Sequence, residues 1–285
     1  LSIYKPCDIR GHVCTEINPE LYRHWGRALG EQLPPQAKFV AGGDVRLSTS
    51  ELLAALVEGL CLAGLDVVDV GCLPTPMIYH ARRRLAAAGC AIVTASHNPP
   101  DFNGLKWMLG DFPPTEDEVR LLEAEATGQA AAPAGRKPTE PRTVDTTFDY
   151  VAWLQETWVD ARGAKLHLVL DPMYGCWAGR ARRYLHAIFP SLMISAIHDE
   201  FDPVFGGQAP DCSQPKHLEQ LAEAIYHQRA DLGIAFDGDG DRVAFVGNHG
   251  NVLTAEEATW VLLQSFGKEL QDKPFVHDLK FSDQV

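Results

Sequence analysis

The sequence has no C-x-x-C pair, no surplus of positive charge and no long uninterrupted apolar run. Each absence removes a class of function. The seven cysteines (Cys7, Cys14, Cys61, Cys72, Cys90, Cys176, Cys212) are odd in number and several sit in apolar stretches. Neither a disulfide framework nor a zinc knuckle is indicated, and a reducing compartment is expected. Lys and Arg total 25 against 38 Asp and Glu, a formal net charge of -13. That balance argues against a nucleic-acid partner and implies that any anionic substrate is met by locally placed cations. The most apolar region, Leu52 to Leu73, is interrupted by Glu58, Asp66 and Asp69, and the start holds no basic-then-apolar leader. The expectation is a cytoplasmic protein without a membrane partner. Leu1 is not a methionine, so a few residues are expected to precede it.

What is present is an ordinary globular composition, 46% hydrophobic and 22% charged over 285 residues, enough for about two domains. The chain pivots on Thr94 to Lys106. Cys90 to Val93 reads as a buried strand, so Ser96 and His97 emerge at its carboxyl end, where open α/β sheets bind ligands. A serine needs a base, a metal or an electropositive pocket to carry a phosphoryl or acyl group. His97 is adjacent, Asn98-Pro99-Pro100 forms a stiff turn, Gly104 permits close backbone approach and Lys106 returns a fixed charge. The set suits a phosphate. Taken alone, the five residues Ser96 to Pro100 also fit a polar turn closing a strand.

Along the chain, Cys7 to Gly11 reads as a turn in which Gly11 permits positive φ and Arg10 projects into a cleft. Lys38 to Ala41 is a strand entering Gly42 to Arg46, and Ser48 with Glu51 forms a capping box before a helix that Gly64 ends. Leu65 to Val70 is a strand and Ala81 to Ala88 lies in a helical stretch. A second capping box, Thr115 with Glu118, precedes Val119 to Ala126. Gly128 to Pro141, rich in Ala, Pro and Gly, reads as a linker. The alternation then restarts: helix Phe148 to Val159, strand Lys165 to Leu170, a helix to Ile188, strand Leu192 to Ile197. Phe201 to Gln214 is an irregular connection of the length expected beside a site. A helix over Lys216 to Gln228 leads to the strand Ala230 to Phe236, which delivers Asp237-Gly238-Asp239-Gly240-Asp241-Arg242. Strand and helix alternating in this way indicate two consecutive α/β layer domains.

Three alternating aspartates repel one another, at about 4 Å and an effective dielectric of about 20 by roughly 4 kcal/mol per pair. Folding them together calls for a cation, and hard oxygen ligands on a glycine-bearing loop suit magnesium or calcium. One Asp-Gly would be a hairpin turn before the next strand, Arg242 to Val246, but three aspartates exceed that role. An EF-hand is excluded, since its sixth position falls on Arg242 and its twelfth on Asn248.

Ser96-His97-Asn98-Pro99 and Asp237 to Arg242, each at a strand end and in this order, resemble the α-D-phosphohexomutase family. Asp8-Ile9-Arg10-Gly11, Ser96 to Lys106 and Ala230 to Phe236 are most similar to its phosphomannomutase/phosphoglucomutase branch, and the resemblance covers nearly the whole chain. It implies mixed, mostly parallel sheets. It also implies interconversion of hexose 1-phosphate and hexose 6-phosphate, of mannose or glucose, through a phosphoserine at Ser96 and a hexose 1,6-bisphosphate. The cofactor implied is Mg²⁺, held by Ser96, Asp237, Asp239 and Asp241, with Arg242 and Arg10 beside the phosphate and His97 and Lys106 assisting proton and charge transfer.

Cys7, Gly43 and Tyr174 depart from the residues usual in that branch. The resemblance sets the divisions at 1–142 (domain I, phosphoserine loop), 143–251 (domain II, metal loop) and 252–285. The last is expected to be an incomplete start of domain III, in which Thr254 and Glu257 cap a helix and Phe275 to Leu279 is a strand. Domains III and IV are expected to be needed for full activity, and this chain alone to be a poor mutase. Two alternatives stay open: a non-catalytic phosphosugar- or metal-binding module, and a Mg²⁺-dependent phosphatase of the haloacid-dehalogenase type with Asp237 as nucleophile.

Overall fold

In a computed structural model of the chain, residues 2–125 and 135–270 are described, together with 273, 274 and 276. The expected strand from Phe275 to Leu279 lies outside the described residues except for Val276, and so does the first half of the expected linker.

The first unit runs β1 (Ile9–His12), α1 (Pro19–Glu31), β2 (Lys38–Gly43), α2 (Thr49–Leu62), β3 (Asp66–Cys72), α3 (Thr75–Arg84), β4 (Gly89–Val93), β5 (Phe102–Leu109), α4 (Glu116–Glu125) and β6 (Arg142–Thr143). Its sheet has the order β1-β5-β4-β2-β3-β6. β4, β2, β3 and β6 are parallel, and at one edge β5 lies antiparallel between β4 and β1. β4 is buried at every position and reads as a continuous apolar run because helices cover both sheet faces.

One face packs α1, α2 and α4 through Tyr22, Trp25, Leu56, Leu60 and Leu122, while α3 covers the other with Met77 and Ile78. α1 begins where Asn18 accepts from the Leu21 N–H at 2.9 Å, with Pro19 in the first turn, where its missing N–H costs nothing.

The second unit comprises α5 (Thr147–Thr157), β7 (His167–Asp171), α6 (Ala181–Ile188), β8 (Met193–Ala196), α7 (Glu219–Gln228), β9 (Leu232–Phe236) and β10 (Val243–Gly247), followed by α8 (Ala255–Leu270). Its sheet order is β10-β9-β7-β8, with β10 antiparallel and the rest parallel. Both units therefore have mixed, mostly parallel sheets.

They share one core. Val40, Val70, Met77 and Ile92 of the first unit belong to the same cluster as Tyr150, Leu170, Trp177 and Tyr184 of the second. Arg136, at the entry to the connection, donates from its guanidinium to the carbonyls of Gly30, Ala63, Glu31 and Leu33. It thereby satisfies the carbonyls left over at the ends of α1 and α2.

Two local expectations change. Ile9–His12 is a strand, not a turn, paired with Phe102–Leu105 of β5. Gly11 is required there for space, because a Cβ would lie 2.8 Å from Ile3 Cγ2, and its φ is not positive. Ser48 makes no capping hydrogen bond to α2; its hydroxyl accepts from Asn103 Nδ2 at 2.9 Å instead, and the helix starts at Thr49. The boxes at Thr115 with Glu118 and Thr254 with Glu257 do form. Among the described residues no helix is long and apolar enough to cross a membrane.

Candidate active site

Two strand ends from different units meet. β4 delivers Thr94 to Ser96 and β9 delivers Asp237, both at carboxyl ends of parallel strands. Ser96 is fully buried, and its Oγ donates to Asp237 Oδ2 at 2.7 Å, with His97 Nδ1 3.4 Å away. Ser96 has φ 54, the left-handed region that costs a non-glycine residue about 1–3 kcal/mol unless its surroundings enforce it.

The surroundings are specific. The Ser96 N–H donates to Thr94 Oγ1 at 2.8 Å, and Thr94 Oγ1 donates to Asp44 Oδ2 at 2.7 Å. Arg46, buried and paired with Asp44 at 2.9 Å, donates to the carbonyls of Ser96 (2.8 Å), Asn98 (2.7 Å), Pro99 (2.5 Å) and Phe102 (3.0 Å). One guanidinium thus fixes the whole loop, which lysine's single ammonium could not do. Asp44, Arg46 and Thr75 are site residues that the sequence did not single out, and Thr94, inside the central stretch, was given no role of its own. The available signal was that Asp44 and Arg46 follow a strand ending at the same sheet edge as Ser96.

Asp237, Asp239 and Asp241 each present an oxygen within 4.8 Å of the others. The turn that holds them is set by neighbours. Cys176 N–H donates to Gly238 O at 2.9 Å, Trp177 Nε1 donates to Gly240 O at 2.9 Å, and Thr75 N–H donates to Asp239 O at 2.9 Å. Gly175 lies so close to this turn that a Cβ would meet Gly238 O at 2.5 Å. Lys106 Nζ bridges Asp239 Oδ2 (2.7 Å) and Asp241 Oδ2 (2.6 Å), and Thr75 Oγ1 also donates to Asp239 Oδ2 at 2.8 Å.

The protonation states follow from these contacts. Burial, then the charges of Asp239 and Asp241, push the Asp237 carboxyl up to about 7. Asp239 stays below the ordinary carboxylate range; burial opposes this, but the charge and hydrogen bond of Lys106 and the Thr75 hydroxyl outweigh it. Burial works against the Lys106 ammonium too, yet the two carboxylates hold it well above its usual value. Burial, Arg242 and Arg10 lower His97. Arg242 Nη1 lies 2.7 Å from His97 Nδ1, and since a guanidinium can only donate, Nδ1 accepts and Nε2 carries the proton. Arg10 is held by Asp8 at 2.7 Å, and its charge reaches His97 and Asp239. A cavity of about 510 Å³ lined by Lys5, Asp8, Arg10, Asn98 and Phe102 borders the serine loop.

The residues present fit a divalent cation. Asp239 Oδ1 is buried without a hydrogen-bond partner, and burial with the charges of Asp239 and Asp241 raises Asp237, a repulsion that a cation would relieve. An all-oxygen donor set of this kind matches a hard cation.

The sequence matches the family description "Phosphoglucomutase/phosphomannomutase, alpha/beta/alpha domain I" over residues 3–131 and domain II of the same family over 148–250. A Xanthomonas campestris protein named "Phosphohexose mutases" is 34% identical over 281 residues, covering 98% of this chain and 62% of its own length. A Pseudomonas aeruginosa phosphomannomutase/phosphoglucomutase is 33% identical, with 94% and 56% covered. A crystal structure of a phosphoglucomutase/phosphomannomutase family protein from Burkholderia thailandensis superposes with a TM-score of 0.81 at 29% identity, covering 94% of this chain and 59% of that one. The chain therefore spans about three fifths of the length of these relatives. On two consecutive domain matches and the shared fold, the chain belongs to the phosphoglucomutase/phosphomannomutase family.

Proposed function

We propose that this chain carries the phosphoryl-transfer centre of a phosphohexomutase that interconverts hexose 1-phosphate and hexose 6-phosphate, with mannose or glucose as the sugar. In this reading residues 1–142 supply the phosphoserine loop, residues 143–251 the metal loop, and residues 252–285 the start of a third domain. The observation that supports it most is the hydrogen bond from Ser96 Oγ to Asp237 Oδ2, inside a ring of three carboxylates and the cations Lys106 and Arg242.

Ser96 is the phosphoryl carrier. Its phosphoryl group passes to a free hydroxyl of the bound hexose phosphate, giving a bisphosphate and a free serine hydroxyl. The bisphosphate turns over, and its other phosphate returns to Ser96 Oγ as the isomeric monophosphate leaves. Asp237, Asp239 and Asp241 would hold Mg²⁺ with the phosphoserine, and that ion would neutralise charge on the transferring phosphoryl oxygens. Arg242 and Arg10 supply fixed positive charge, and His97, whose Nδ1 accepts from Arg242, carries its proton on Nε2. Lys106, held protonated, stabilises the charge that develops on the oxygens. Phosphoryl transfer needs positioning and charge neutralisation more than covalent help, and these residues are suited to that.

The test is conversion of mannose 1-phosphate and glucose 1-phosphate to the 6-phosphates, with Mg²⁺ and catalytic hexose 1,6-bisphosphate, by the protein at the full length of its relatives. Activity that Ser96→Ala abolishes supports the assignment. Undiminished activity in that variant would remove the serine from the mechanism. Phosphosugar binding without turnover would favour a non-catalytic module.

A further inference from the structure

Cys72 and Cys176 lie on opposite sides of the junction between the two units. Cys72 ends β3, whereas Cys176 sits in the buried loop after β7. The two thiols are close enough to influence each other's protonation, and one guanidinium ties the two backbones together. Arg180 Nη2 donates to Cys72 O and Nη1 to Cys176 O, each at 2.9 Å. The two thiols differ in access. Cys72 is exposed and lines an open cavity of about 510 Å³ with Arg46, Arg180 and Phe201, whereas Cys176 is fully buried.

We propose that Cys72 and Cys176 form a redox-active dithiol site that takes a small disulfide oxidant such as oxidised glutathione and closes into a disulfide between the two units. The inference rests on this geometry and is independent of the proposed mutase activity. Cys72 is the attacking thiol because it is the accessible one. The neighbouring Cys176 thiol, with burial opposing and the Arg180 charge assisting, also holds it below the usual thiol value, favouring the nucleophilic thiolate.

Its sulfur attacks one sulfur of oxidised glutathione. That S–S bond breaks, a Cys72–glutathione mixed disulfide forms, and one glutathione thiol leaves with the proton. Cys176 is adjacent across the Arg180 bridge and resolves the adduct: its sulfur attacks Cys72 Sγ, gives up its proton and expels the second glutathione thiol. Two protein thiols are oxidised and one glutathione disulfide is reduced to two thiols. The bridge has a consequence at the metal loop, because the Cys176 N–H supports Gly238 O, between Asp237 and Asp239. It also closes a loop of roughly 100 residues, a length at which a cross-link markedly restricts the unfolded chain.

The test is incubation of the folded chain with oxidised glutathione, followed by non-reducing peptide mapping and thermal unfolding. The expected result is a Cys72–Cys176 cross-linked peptide without retained glutathione at either position. Tm should rise by about 5 °C or more and return with dithiothreitol. Cys176→Ser should keep glutathione on Cys72. If that variant does not fold, Cys176→Ala or the wild-type map alone decides. Glutathione remaining on Cys72 in the wild type, a cross-link that joins either cysteine to a third, or no reaction at Cys72 would overturn the proposal.

Discussion

Ser96 and Asp237 stand 141 positions apart in the chain, yet Ser96 Oγ donates to Asp237 Oδ2 at 2.7 Å across the junction of two separately folded sheets. The bond is possible because β4 and β9 both end at that junction and because the two units share one apolar core. Ser96 from one unit and the three aspartates from the other are thereby held side by side. The same junction carries Thr75 and Lys106 onto Asp239.

Asp241 is the cleanest probe of the proposed cation site, since it is the most exposed of the three carboxylates. Asp241→Asn should weaken Mg²⁺ binding by tenfold or more while moving Tm little, read by calorimetric titration and thermal unfolding. Asp239→Asn should lose both, because it also disrupts a buried pair with Lys106 and a Thr75 hydrogen bond. Equal Mg²⁺ affinity in Asp241→Asn and wild type would take the loop out of the site.

Arg46 should matter as much as the residues proposed to meet the phosphate. Arg46→Ala leaves Asp44 buried without its partner and frees four carbonyls of the serine loop, an expected loss of about 3–5 kcal/mol in denaturant unfolding. Arg46→Lys should recover part of that stability but not the Ser96 geometry, so phosphorylation of Ser96 should stay depressed. A lysine variant that is phosphorylated as readily as wild type would contradict the scaffold role.

His198 supplies a pH test away from the site. Its Nδ1 lies 3.0 Å from the buried Asp171 Oδ1, and that hydrogen bond raises the imidazole above its ordinary 6.5 despite burial. A raised histidine contributes stability that is fully present below the unfolded value and is lost as pH rises through the folded value. Wild-type Tm should therefore fall, relative to His198→Gln, as pH rises from below the ordinary 6.5 to above it. Parallel curves for the two proteins would show that the pair is not charged.

Much of this was legible in the sequence because the informative residues sit at strand ends. Cys90 to Val93 and Ala230 to Phe236 are short apolar runs that announce parallel strands, and Ser96 and the three aspartates follow directly after them. The capping boxes at Thr115 and Thr254 were equally local. Ser48 misled because its hydroxyl is claimed by Asn103, 55 positions away, which spacing cannot reveal. Ile9 to His12 was hidden because β1 is a short edge strand whose partner, β5, lies far along the chain. Arg46 was missed for a similar reason: its partners are backbone carbonyls about 50 residues on, and carbonyls leave no mark in a sequence.

The central claim is that Ser96 carries a phosphoryl group, and it is tested most directly on the folded, Mg²⁺-loaded chain by incubation with a hexose 1,6-bisphosphate and intact-mass measurement. The account predicts uptake of a single phosphate, mapped to the peptide containing Ser96, lost on phosphatase treatment and absent from Ser96→Ala. No uptake, or a phosphate mapped to another residue and retained in Ser96→Ala, would contradict it.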